Sequence, residues 1–174
     1  EFKTPTICVG NITVGGTGKT PFVEYIIRML QDKHSLAVVS RGYRRKSKGM
    51  QVSSENATAE ILGDEPYQIF RKFPKTLVVA DSNRCRAIDY IEANHANVDT
   101  VILDDAFQHR YVNAGLNILL IDYNRPISKD SMLPAGRLRD LKSAQKRANI
   151  IVITKCPKDL KPIDFNNLTK EIKP

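Results

Sequence analysis

Apolar residues fall into short, nearly continuous runs separated by longer amphipathic stretches. The runs are Thr6–Gly10, Leu36–Val39, Leu77–Ala80, Val98–Leu103, Ile118–Ile121 and Ile150–Ile153. They lack the strict apolar–polar alternation of a sheet with one wet face, so they predict strands buried on both sides, as in a parallel sheet. Between them, Pro21–Leu30 sets Phe22, Ile26, Met29 and Leu30 at helical spacing, with Val23 and Ile27 beside them. Ser82–Asn94 sets Cys85, Ile88 and Ile91 on one helical face. Strands alternating with helices predict an α/β fold, a mostly parallel sheet flanked by helices. Chemistry in such a sheet belongs beyond the carboxyl ends of the strands. Arg41–Gly49 reads as a basic, glycine-containing loop, and Pro157–Asn167 as a turn-rich linker or surface excursion.

The first strand runs into Thr13-Val14-Gly15-Gly16-Thr17-Gly18-Lys19-Thr20, and a helix follows. Strand, glycine-rich turn, Gly-Lys-Thr and helix make up the context of a phosphate-binding P-loop. Glycines let successive N–H groups turn inward around phosphate oxygens, and the helix start adds its positive end. Lys19 supplies a charge for the β- and γ-phosphates, and the Thr20 hydroxyl suits Mg²⁺. The usual first glycine is replaced by Thr13, while Gly15, Gly16 and Gly18 remain. The architecture expected is thus P-loop NTPase-like.

Two acidic features accompany the loop. The run Val98–Leu103 ends in Asp104-Asp105, and P-loop enzymes carry an Asp at such a strand end to hold the Mg²⁺ shell. Two adjacent carboxylates repel unless a cation lies near them. A solvated strand end is the plainer alternative. His109 closes the segment Asp104-Asp105-Ala106-Phe107-Gln108-His109, where it either assists the site or packs beneath it. Gly63-Asp64-Glu65-Pro66 precedes a helical pattern through Tyr67, Ile69 and Phe70. Asp64 there reads first as an N-cap with Glu65 and Pro66 in the first turn. The other reading makes Asp64 a general base toward a hydroxyl.

Composition narrows the partners. The 174 residues suit one well-filled domain. A net charge of +8 points to an anionic partner without choosing among nucleotide, phosphorylated substrate, nucleic acid and acidic membrane. With 7% aromatics and no Trp, a base-stacking platform is poorly supplied, and no nucleic acid partner is expected. Three cysteines, far apart and without a C-x-x-C pair, form neither a zinc site nor a disulfide framework. Cys8 and Cys156, lying in apolar runs, read as reduced core thiols. No apolar run reaches the ~20 residues of a membrane span. The chain opens at Glu1 without an initiator Met and is expected to be a piece of a longer protein.

Five segments in order carry a resemblance: Val9–Pro21 with the P-loop, Ser40-Arg41-Gly42-Tyr43, Gly63-Asp64-Glu65-Pro66, Asp104–His109, and Leu133-Pro134-Ala135-Gly136-Arg137-Leu138-Arg139. Together they resemble the tetraacyldisaccharide 4'-kinase family, over about Thr4 to Lys158. Thr at the first P-loop position is itself a feature of that family, whereas Ala106 stands where its members commonly carry glycine. The resemblance implies transfer of the ATP γ-phosphate to the 4'-hydroxyl of a tetraacyldisaccharide 1-phosphate lipid, with Mg²⁺. It implies nucleotide contacts from Thr13, Val14, Gly15, Gly16, Thr17, Gly18, Lys19 and Thr20, and metal contacts from Thr20, Asp104 and Asp105. Asp64 becomes the catalytic base, with Lys19 beside it in catalysis. Arg41, Glu65, Gln108, His109 and Arg137 become substrate or auxiliary residues.

The resemblance further implies an anionic glycolipid partner and work at the cytoplasmic face of the bacterial inner membrane. Arg44, Arg45, Lys46 and Lys48 are candidates to face the lipid head group or membrane. Residues 1–158 are expected to form the nucleotide-binding lobe, and 159–174 a linker or the start of a second lobe. Members of the family carry an N-terminal membrane helix and a C-terminal lobe whose histidine partners the catalytic Asp. None of His34, His95 and His109 matches that histidine, so this piece is expected to bind nucleotide and to turn over poorly alone. The alternative is a P-loop switch or binding module. Against a guanine-reading one stands Pro157, which follows Thr154-Lys155-Cys156 where an Asp is needed. Against a partitioning-type ATPase stands Val14, where that loop carries an extra lysine.

Overall fold

The computed structural model describes residues 2–109, 111–170 and 172. Among these, β1 (Thr6–Gly10), β2 (Leu36–Ser40), β3 (Gln51–Val52), β4 (Leu77–Ala80), β5 (Thr100–Asp104), β6 (Leu116–Asp122) and β7 (Ile150–Thr154) form one sheet. Its order is β3-β4-β2-β5-β1-β6-β7. All pairs are parallel except β3 with β4 at one edge. The predicted P-loop NTPase-like α/β sheet is therefore the observed one. The apolar runs give strands because Val, Ile and Leu fit a pleated surface packed on both faces.

Among the described residues five α-helices flank the sheet, α1 (Lys19–Leu30), α2 (Ala59–Leu62), α3 (Asp64–Lys72), α4 (Arg84–Asn94) and α5 (Pro162–Lys170), with two short 3-10 turns at Ile127–Lys129 and Lys142–Arg147. On one face of the sheet, Val23, Ile26 and Ile27 of α1 and Ile69 of α3 pack on Val9, Val38, Val78, Ile102 and Leu120. On the other, Ala87, Ile88 and Ile91 of α4 pack on Val39, Val79, Val101 and Leu103. Burying each such aliphatic side chain contributes ~1.5–3 kcal/mol, and this holds the sheet rigid under its loops.

Several expectations change. Met29 is 59% exposed, because the buried stripe of α1 runs through Val23, Ile26 and Ile27. Cys8 is a buried thiol, but Cys156 lies past the end of β7 and is exposed. Within the presumed linker, residues 162–170 form α5, with Pro162 opening the helix and Asp164 in its first turn. No residue of α5 is buried, so it is a surface helix. Glu171, Lys173 and Pro174, the end of the expected 159–174 segment, lie outside the described residues. Asp64 is not an N-cap: Gly63 takes that position at φ 95°, and Asp64 begins α3. No described helix is long and apolar enough to cross a membrane.

β1 lies between β5 and β6. The chain leaves β1 toward β2 on one side, and later returns from β5 to β6 on the other. The loop after β1 therefore sits at the switch point of the sheet, where the connections diverge and leave a crevice.

Candidate phosphate and metal site

The loop from Asn11 to Gly18 occupies that crevice. Gly18 caps α1 in a left-handed conformation, φ 84°, and no side chain caps the helix. The first N–H groups of α1 are thus free for an anion, and Gly15, at φ 104°, supplies the other left-handed turn. Thr13 needs no glycine geometry. It is buried and lies in an extended bridge to Leu138, so the first position is set by strand-like pairing.

That pairing comes from the Leu133–Arg139 segment, which straps the loop from outside. Val14 N–H donates to the Arg137 carbonyl at 2.8 Å, and Arg139 N–H to the Ile12 carbonyl at 2.9 Å. From below, Asn11 is fully buried and its Nδ2 donates to Thr17 Oγ1 at 2.8 Å. Gln108 Nε2 donates to the Asn11 carbonyl at 2.5 Å, and Arg139 Nη2 to Asn11 Oδ1 at 2.6 Å. Gln108 thus acts on the loop through Asn11.

Register brings the acidic strand end to the same place, since Asp104 on β5 pairs with Val9 on β1. Asp104 is 1% exposed. Its Oδ2 accepts from Ser40 Oγ at 3.4 Å, and its Oδ1 is buried with no partner. Burial, then the neighbouring charges of Glu65 and Asp105, push its carboxyl up to about 7 despite Lys19 and Arg84. Asp105 is of opposite character. Arg139 binds it through two nitrogens and Lys19 Nζ lies 3.7 Å from its Oδ1. Burial opposes its charge, but Arg139 and Lys19 outweigh it and hold the carboxyl below the usual range.

A buried carboxylate oxygen without a partner is costly unless a cation completes it. Asp104 Oδ1, with the Thr20 hydroxyl at the start of α1, is a hard-oxygen set that fits Mg²⁺. Asp105, whose two oxygens are both occupied by Arg139, is the weaker candidate for direct ligation.

Asp64 and Glu65 are exposed in the first turn of α3, and no described side chain binds Asp64. Their position is set by Gly63, which lies against Gly42 and Tyr43. A Cβ on Gly63 would come within 2.9 Å of the Gly42 carbonyl carbon and the Tyr43 oxygen. The Ser40–Tyr43 turn thereby joins Asp104, through Ser40, to Asp64. Arg41 is exposed at this rim, and its charge is felt by Arg84 and His109. Arg84, which sequence reasoning did not single out, is 1% exposed and donates to the carbonyls of Asp81 and Asp104, bracing two strand ends. Nothing in the sequence distinguishes it from a surface arginine of a helix.

His109 makes no hydrogen bond or ion pair to the acidic pair among the described residues, although the Asp105 charge acts on it. It lines a cavity of about 480 Å³ behind the Asp104–His109 turn with Cys8, Phe107 and Arg147, edge-on to Tyr111. Burial and the charges of Arg84 and Arg41 lower its pKa. Arg137 reaches the loop by its backbone, and its side chain is exposed. Of the basic loop, Arg45 turns inward to the Ala80 carbonyl at 3.0 Å and Lys46 pairs with Glu60, leaving Arg44 and Lys48 facing outward.

A family model described as Tetraacyldisaccharide-1-P 4'-kinase matches residues 1–173. The tetraacyldisaccharide 4'-kinase of Bacteroides thetaiotaomicron is 50% identical, over 99% of this chain and 46% of its own length. That of Porphyromonas gingivalis (strain ATCC 33277) is 53% identical, over 99% of this chain and 49% of its own. Among solved structures, LpxK from Aquifex aeolicus in complex with ATP superposes with a TM-score of 0.80 at 37% identity, covering 92% of this chain and 52% of that one. The chain spans about half the length of the curated relatives it matches.

Proposed function

The chain belongs to the tetraacyldisaccharide-1-P 4'-kinase family, and on that premise we propose that it is the nucleotide-binding lobe of an ATP-dependent kinase acting on the 4'-hydroxyl of a tetraacyldisaccharide 1-phosphate. The observation that carries the reading is a buried, unpartnered Asp104 Oδ1 at the end of β5, within the influence of the Lys19 charge, next to a P-loop helix whose start no side chain caps. Residues 1–158 form this lobe, and 159 onward leads toward the rest of the enzyme.

Phosphoryl transfer asks mainly for positioning and charge neutralisation. The amides from Gly15 to Thr20 cradle the phosphates, and Lys19 leaves Asp105 to reach the transferred group. Mg²⁺, held by Asp104 and Thr20, would neutralise phosphate charge. Asp64, exposed and unbonded, takes the proton of the acceptor hydroxyl as its oxygen attacks the γ-phosphorus and ADP departs. Glu65 and Arg41 stand at the rim where the acceptor enters. Arg44 and Lys48 face the anionic head group at the inner-membrane surface, on its cytoplasmic side.

The test is transfer of label from γ-labelled ATP to detergent-dispersed tetraacyldisaccharide 1-phosphate by the full-length protein with Mg²⁺. Label on the lipid that vanishes in Lys19→Ala is the expected result. Asp64→Asn should lower kcat about 10²–10⁴-fold with ATP affinity kept. Tight Mg·ATP binding without labelled lipid would overturn the assignment of acceptor.

A further inference from the structure

The chain leaving β7 hooks onto the phosphate loop from the side opposite Asp105. Lys155 has a left-handed backbone, φ 57°, which is uncommon for a residue with a side chain and turns it back over the sheet. Its Nζ donates to the Gly16 carbonyl and, at 2.7 Å, to Asp122 Oδ2. Its neighbour Thr154 donates through Oγ1 to the Thr17 carbonyl at 2.8 Å. Two successive carbonyls of the loop are therefore held outward by two successive residues.

In a trans peptide the carbonyl and the following N–H point in opposite directions. Holding the Thr17 carbonyl toward β7 turns the Gly18 N–H toward the phosphate side. The Thr17 N–H, which follows the held Gly16 carbonyl, donates within the loop to the Gly15 carbonyl at 3.1 Å, so the Lys155 contact fixes the turn itself. Asp122 anchors the ammonium, since its carboxylate also accepts from Asn124 N–H at 3.0 Å and is itself buried at the end of β6.

We propose that Lys155 is a positioning residue of the phosphate site: its ammonium, anchored on Asp122, holds the Gly16 carbonyl outward and keeps the loop in its phosphate-receiving shape. This inference rests on the nucleotide-binding reading above. Lys155 acts through the loop and so serves any polyphosphate, with no part in recognising the base.

The test measures binding of Mg·ATP and of inorganic tripolyphosphate with Mg²⁺ to the full-length protein by calorimetry, for wild type, Lys155→Met and Lys155→Arg. Lys155→Met should weaken both ligands by the same factor, roughly 10–100-fold for loss of a charge-assisted hydrogen bond. Lys155→Arg, which can bridge the same carbonyl and carboxylate, should recover most of it, and the KM for the lipid acceptor should stay unchanged. Equal binding by Lys155→Met and wild type would overturn this inference alone. So would a loss confined to ATP, which would assign Lys155 to the nucleoside. Wild type that binds neither ligand would overturn the kinase reading and this inference with it.

Discussion

Arg139 and Asp105 are joined through both terminal nitrogens of the guanidinium, and the same Arg139 reaches Asn11 at the base of the phosphate loop. One side chain therefore sets the distance between the loop and the acidic strand end. The pair is partly exposed, at 25% and 34%, so its worth to stability is small. Its worth to positioning is larger, because small misplacements of reacting groups cost about 10²-fold. Arg139→Ala should lower kcat/KM for ATP by about that factor while the protein stays folded. Arg139→Lys should recover little, since an ammonium cannot form the two-pronged contact. Steady-state kinetics with ATP as the varied substrate checks both.

Asp104 makes stability depend on pH in an unusual direction. Burial, with Glu65 and Asp105 nearby, raises its carboxyl from 3.8 to about 7. The unfolded chain binds fewer protons at this group than the folded one between those values. Its contribution to stability is therefore lost as pH rises through that window. Lowering the pH from 8 to 6 without Mg²⁺ should stabilise the protein by about 1 kcal/mol through Asp104. His109, with its lowered pKa, works in the opposite direction as pH falls. The readout is thus the difference between wild type and Asp104→Asn in denaturant titrations at the two pH values, since the variant lacks the Asp104 contribution. Saturating Mg²⁺ with nucleotide should remove most of the difference, because the cation replaces the proton.

Gly63 carries both a backbone and a packing demand. Its φ of 95° disfavours any side chain, and a Cβ would strike Gly42 and Tyr43 backbone at 2.9 Å. Gly63→Ala should cost about 1–3 kcal/mol of stability. It should also displace the first turn of α3 and with it Asp64. A thermal melt gives the first effect. The second appears as a fall in kcat beyond what the melting temperature explains, measured well below the transition.

The strands other than β3 were legible because buried parallel strands are written as unbroken apolar runs, and the P-loop because its glycines and lysine are contiguous. What escaped has physical reasons. β3 has two residues and α2 four, too few for either to show a period. α5 buries nothing, so no apolar stripe marks it, although Pro162 and Asp164 suit a helix start. From the residues alone Asp64 reads first as a cap, because a carboxylate before an apolar pattern usually caps, and only the family resemblance makes it the base. Here Gly63 takes the cap with a conformation that no residue letter other than glycine could signal. Asn11, Arg84 and Lys155 meet partners 128, 20 and 139 positions away, Arg139, Asp104 and Gly16. Such contacts depend on the order of strands in the sheet, which periodicity does not encode. In the sequence Thr154-Lys155-Cys156 has only the form of a broken guanine motif, yet its first two residues grip the phosphate loop.

The turn after β5 supplies a last prediction. Ala106 stands where the family resemblance implies glycine, which would suggest that position 106 needs a glycine conformation. The left-handed residue is instead Asp105, at φ 49°, and Ala106 is not among the positive-φ residues. Ala106 is 3% exposed, its methyl group joins the core under α4, and its N–H donates to the Val9 carbonyl at 3.3 Å. Alanine is therefore compatible with its backbone and useful to its packing. Ala106→Gly should release unfolded-chain entropy and remove that methyl group, costing about 0.5–1 kcal/mol, or ~1–4 °C in melting temperature. Nucleotide affinity should be unchanged, because the strained carbonyl and carboxylate belong to Asp105. A higher melting temperature for Ala106→Gly would place the strain at position 106 instead.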